Sequence, residues 1–103
     1  MITDATIDIE ALKASSENAC KLMKVMANQD RLMLLCQIGL GEKCVGELEE
    51  TLEIRQPTLS QQLTILREEG LVSTRREGKY IYYSIANEAT LQVMEVLYKN
   101  YCK

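Results

Sequence analysis

Histidine is absent from the chain's 103 residues. That removes the imidazole ligands favoured by zinc and other borderline metals, and the side chain most used as a general base near neutral pH. Proline occurs once, and no Gly/Ser/Pro-rich linker or internal repeat divides the chain, so a single domain with a modest core is expected. No apolar run approaches membrane-spanning length, and Met1 to Asp8 is polar and acidic rather than a secretory signal. A cytoplasmic protein is the expectation. Positive charge is also scarce, with 12 Lys+Arg against 15 Asp+Glu and a net of −3. That balance argues against a general polyanion binder.

What is present centres on the run Leu48 to Leu66. Val45, Leu48 and Leu52 fall at helical spacing, as do Leu59, Leu63 and Leu66. Only Glu53-Ile54-Arg55-Gln56 lies between, so two short helices must cross steeply. The lone proline, Pro57, suits the first position of the second helix, with Gln56 as its N-cap. With the three leucines turned to the core, Thr58, Ser60, Gln61 and Thr64 spread over a nearly uncharged outer face. Amide and hydroxyl groups of this kind read base edges in a major groove. Gln56 and Gln62 join the candidate DNA-binding set, although the helical wheel turns Gln62 toward the core side.

After Gly70 the period changes to that of strands. Leu71 to Arg76 and Lys79 to Ile85 are rich in β-branched and aromatic residues, and Glu77-Gly78 reads as a two-residue loop with Gly78 supplying positive φ. Ile81, Tyr83 and Ile85 share the face expected to pack on the core. Arg75, Arg76 and Lys79 cluster at the tip, where cations reach phosphates or the minor groove. Charge follows this division. Residues 1–54 hold 5 basic and 10 acidic side chains, whereas residues 55–83 hold 5 basic and 3 acidic.

Three further helices complete the chain. Ile9 to Met26 places Leu12, Ala19, Leu22, Met23 and Met26 on one stripe. Asn28 caps a second helix, Gln29 to Leu40, apolar nearly all round and so the buried one. Asn87 caps the last, whose stripe runs Leu91, Met94, Tyr98, Tyr101 and Cys102. The fold class expected is mainly α with a β-hairpin wing, a winged helix-turn-helix over residues 1–103. The helix-turn-helix covers about 45–69 and the wing about 71–85. The terminal helices, about 9–27 and 88–102, cannot both bury their stripes on so small a core, which points to a homodimer.

MANQDRLMLLC, VGELEETLEIRQPTLSQQLTILREEGLV and RREGKYIYYSI, in that order, resemble the ArsR/SmtB-type winged-helix repressors, over about Leu22 to Cys102. The resemblance implies a homodimeric repressor on an inverted-repeat operator of double-stranded DNA, released by an inducer. Glu53 departs from the pattern, standing where many members place Gly. Members that sense zinc through the last helix use His and carboxylates there, and this helix offers only Glu88 and Glu95.

The four cysteines, Cys20, Cys36, Cys44 and Cys102, leave three readings open. The placement of Cys36 after LMLL and of Cys102 after LYKNY resembles the persulfide-sensing BigR/SqrR branch. That resemblance implies a redox-sensing thiol pair and a small-molecule inducer such as persulfide or polysulfide. Alternatively, EKCVGEL resembles half of an arsenic-sensor motif, with Cys44 kept and Gly46 in place of the second Cys. Cys44 would then bind a soft metal or metalloid with help from Cys20. Thirdly, Cys36 reads as a small core hydrophobe like many buried cysteines. A thiol-peroxidase enzyme is disfavoured by the missing base, a non-DNA interaction module by the Gln/Ser/Thr face, and no cofactor is called for.

Overall fold

The computed structural model describes residues 8–102. The order is α1 (Ile9–Met26), α2 (Gln29–Gly39), β1 (Lys43–Cys44), α3 (Val45–Leu52), α4 (Thr58–Glu68), β2 (Val72–Glu77), β3 (Tyr80–Ile85) and α5 (Glu88–Tyr101). Side chains at three helix starts accept otherwise unpaired N–H groups. Asp8 takes that of Glu10 at 3.3 Å, Asn28 that of Arg31 at 3.1 Å, and Asn87 that of Thr90 at 2.8 Å.

The expected core forms around α2. Leu34, Leu35 and Ile38 are buried there against Leu48 of α3, Leu59, Leu63 and Leu66 of α4, Leu71 and Val72 at the wing's base, and Met94 of α5. Between α3 and α4 the chain reverses through Glu53, whose φ of 57° and ψ of 28° are left-handed. Ile54 plugs the corner at 6% exposure.

Three expectations shift. Pro57 stands at the N-cap of α4 rather than its first position, because the turn already closes a bond from Leu59 N–H to the Arg55 carbonyl at 3.0 Å. Gln56 still caps the helix, its longer side chain accepting the Ser60 N–H at 3.0 Å. The wing turn is Gly78-Lys79, not Glu77-Gly78, since Glu77 pairs with Tyr80 in the ladder. Gly78 does carry the positive φ, 62°. On β3, Tyr83 and Ile85 pack against the core, but Ile81, nearer the tip, is exposed beyond the core's reach. The structure also adds β1, which pairs with β3 to give the sheet order β1-β3-β2.

The terminal helices differ from each other. Met94 and Thr90 bury part of α5 in the chain's own core, leaving Val96 and Tyr101 outside. In α1 only Val25 and Met26, at its end, are buried. Ile9, Leu12 and Met23 stand exposed, and the molecule extends 51 × 29 × 22 Å. Its radius of gyration is 15.6 Å, against about 13 Å for a compact chain of 100 residues.

Candidate nucleic-acid interface and thiol pair

The burial of Leu59, Leu63 and Leu66 fixes which face α4 turns outward. Ser60, Gln61 and Thr64 are exposed on it, Thr58 is half-buried at its start, and Gln56 is exposed just before. Thr64 donates its hydroxyl to the Ser60 carbonyl at 2.8 Å, so its outward oxygen remains an acceptor. Because the Gln56 carbonyl oxygen caps the helix, its amide N–H₂ is the part available to a partner. Gln62 is different. It is half-buried, and its Oε1 accepts from Arg31 Nη1 at 2.8 Å, so it faces α2 rather than the open surface.

In the wing, the three cations have unequal freedom. Arg75 is held by Glu42 through Nε and Nη2, both at 2.7 Å, and by Glu77 at 2.9 Å, with its guanidinium 4.7 Å from the Tyr82 ring centroid. The Glu42 and Glu77 carboxylates push its pKa up. In return, the Arg75 hydrogen bonds hold the Glu42 carboxyl below its usual range. Arg75, expected among the cations that reach phosphate, is thus paired locally, through contacts that are open to solvent. Arg76 donates Nε to the Gly78 carbonyl at 3.1 Å, which sets its guanidinium at the tip, and Lys79 lies 5.7 Å from the Tyr80 ring centroid.

A second cluster lies between α2 and α5. Cys36 and Cys102 are free thiols here, Cys36 half-buried and Cys102 exposed at the end of α5, near enough for Cys102 to act on the Cys36 thiol. Burial pushes the Cys36 thiol up, and the adjacent Cys102 thiol adds to the rise through its charge and a hydrogen bond. A cavity of about 180 Å³ opens beside Cys36, walled by Gly39, Leu40, Leu91, Met94 and Tyr98. The other cysteines lie elsewhere. Cys20 is exposed on α1, and Cys44 joins β1 to α3, where its backbone N–H donates to Glu47 at 3.0 Å. Among the described residues no three His, Cys, Asp or Glu side chains gather as a metal-ligand set.

Sequence reasoning missed Arg31 and Glu42. Arg31 carried a signal, being the lone cation in an otherwise apolar helix run. Glu42 carried none, since its partner is 33 residues away.

A short helix-turn-helix with a neutral polar outer face, backed by a hairpin with cations at its tip, defines a winged helix-turn-helix DNA-binding protein. A sequence profile described as bacterial regulatory protein, arsR family, matches residues 28–74. The Biofilm growth-associated repressor of Agrobacterium fabrum is 47% identical over 93% of this chain and 82% of that protein. Transcriptional activator HlyU of Vibrio cholerae is 37% identical over 96% of this chain and 92% of that one. The solved structure of reduced HlyU from Vibrio cholerae superposes with a TM-score of 0.89 at 38% identity, covering 92% of this chain and all of the other (100%). The chain belongs to the ArsR family of transcriptional regulators.

Proposed function

We propose that the protein is a homodimeric repressor that binds an inverted-repeat operator and releases it when persulfide or polysulfide modifies Cys36 and Cys102. The base-reading set is Gln56, Thr58, Ser60, Gln61 and Thr64, with Arg76 and Lys79 on the backbone. The observation that carries the switch is the adjacency of the Cys36 and Cys102 thiols across α2 and α5, beside a cavity open to a small reagent.

Cys102, exposed at the end of α5, attacks first, and Cys36, half-buried with its thiol pushed up by burial, attacks second. The Cys102 thiolate attacks the sulfane sulfur of R–S–SH, forming Cys102–S–SH and releasing R–S⁻. Cys36, giving up its proton to water, then attacks the Sγ of Cys102 itself and breaks its bond to the terminal sulfur. A Cys36–Cys102 disulfide forms and HS⁻ leaves, or sulfur atoms remain in the bridge when the donor is a longer polysulfide. Such a bridge ties the core helix to the last helix and shifts the pair of recognition helices relative to the operator.

Mass spectrometry after treatment with persulfide, hydrogen peroxide or As(III) tests the reading. Persulfide is expected to give an intrachain Cys36–Cys102 link. Cys36→Ser and Cys102→Ser should each bind DNA and ignore persulfide, while Cys20→Ser and Cys44→Ser respond like the parent. Induction lost in Cys44→Ser and kept in Cys36→Ser would sink this reading in favour of a metalloid sensor. Bridge closure should also quicken as pH rises toward and through the raised Cys36 pKa, because only the thiolate attacks.

A further inference from the structure

Arg31, in the first turn of α2, takes no part in either cluster as described so far, yet it joins three helices. Its Nε donates to the Val25 carbonyl at 2.6 Å and its Nη2 to the Lys24 carbonyl at 3.5 Å. Both carbonyls belong to the last turn of α1, where orphan acceptors and the negative end of the helix dipole favour a cation. In the other direction, Nη1 reaches Gln62 Oε1 on α4 at 2.8 Å. Among the described residues this is the only hydrogen bond joining the recognition helix to another helix.

We propose that Arg31 and Gln62 form a strut that sets the angle of α4 against α1 and α2, acting as positioning residues for sequence-specific DNA binding. Leucine packing alone is non-directional and tolerates small rotations of α4 about its own axis. A guanidinium fork anchored at one end on α1 carbonyls is directional, and it fixes the azimuth of α4 at Gln62. Gln61 is the next residue in the helix, so its direction toward a base edge follows that azimuth. Recognition groups must be held within about 0.5 Å of their working geometry for specificity to be realised. The strut also accounts for a glutamine on the half-buried side of α4, where the pattern alone would favour an apolar residue. Neither residue needs to touch DNA.

The test uses Gln62→Met, which keeps length and volume but accepts no comparable bond, and Arg31→Lys, which keeps a cation at the α1 carbonyls but loses the fork. Each is measured on a duplex selected by the wild-type protein from a random library and on a scrambled duplex of equal composition, with thermal unfolding alongside. Each variant should bind the selected duplex about tenfold more weakly, because Gln61 loses its fixed direction toward the base edge. Binding to the scrambled duplex and the unfolding temperature of Gln62→Met should stay at wild-type values, and the double variant should be no worse than either single one. Loss in Gln62→Met with none in Arg31→Lys would mean that Gln62 reads bases itself, and the strut would be abandoned. A parallel fall on both duplexes together with unfolding temperature would make the bond a stabilising contact only, and wild-type affinity in Gln62→Met would remove it altogether.

Discussion

Glu53 holds a left-handed backbone, φ 57°, at the corner between α3 and α4, where a β-carbon crowds the following carbonyl. Nothing in its side chain repays this, for Glu53 is exposed and its backbone N–H alone closes the end of α3, on the Glu49 carbonyl at 3.1 Å. Glu53→Gly should therefore stabilise the protein by about 1 kcal/mol, less whatever the freer glycine adds to unfolded-state entropy. Urea unfolding would show a higher midpoint at unchanged slope, and a lower midpoint would refute the strain. The departure at this position was legible in the sequence, but its left-handed backbone was not. The thiols illustrate the opposite limit. Cys36 and Cys102 lie far apart in the chain, and no local period links them, so in the sequence only the family resemblance pairs them. Gln62 was half legible: the wheel turned it inward, but the cation that meets it sits 31 residues earlier.

At the scale of elements, long periodic segments were readable because burial imposes the period itself. The five helices and the hairpin follow their leucine and β-branched patterns, whereas β1, two residues long, has no period to detect. The wing's charge was readable in amount but not in disposition. Arg75 was counted with Arg76 and Lys79, and only folding reveals Glu42, from the β1 approach, bonded to it. That carboxyl is held down by Arg75, so the pair persists through neutral and mildly acid pH and parts only when pH falls below the ordinary carboxylate range. Being solvent-exposed, it contributes little stability. Its consequence is for DNA. Glu42→Gln with Glu77→Gln should free Arg75 for phosphate, raise affinity for all sequences and steepen the salt dependence by about 0.9 in the log–log slope for an added phosphate contact. Titrations of scrambled DNA across salt concentrations measure this, and an unchanged slope would show that Arg75 cannot reach the backbone even when released.

The whole molecule is shaped by one helix without a place to lie. α1 has 18 residues, of which only Val25 and Met26 are fully buried and Leu22 packs partly on the core, while Ile9, Leu12 and Met23 are 71%, 44% and 58% exposed. An amphipathic helix of that length has little stability in water on its own, since helices in proteins depend on packing an apolar face. Among the described residues no helix is long and apolar enough to cross a membrane. Val96 and Tyr101 of α5 are bare as well, at 60% and 81%. A second copy offering the same two faces satisfies both at once through an isologous contact, and places two α4 helices on one side of the dimer as an inverted repeat requires. The charge distribution is consistent with this, since residues 1–54 carry 5 basic and 10 acidic side chains and residues 55–83 carry 5 and 3. Leu12→Asp with Met23→Asp discriminates between the dimer and a lone chain. In a monomer both sites are solvent, and the change should alter stability by less than about 0.5 kcal/mol per site. In the dimer each charge is driven into an apolar seam. Sedimentation should then shift to the mass of one chain, and unfolding should come at lower temperature. Operator affinity should drop by at least about tenfold as the second half-site contact is lost. A wild-type protein that sediments as a single chain at micromolar concentration, or a double variant that remains dimeric, would dismiss this interface.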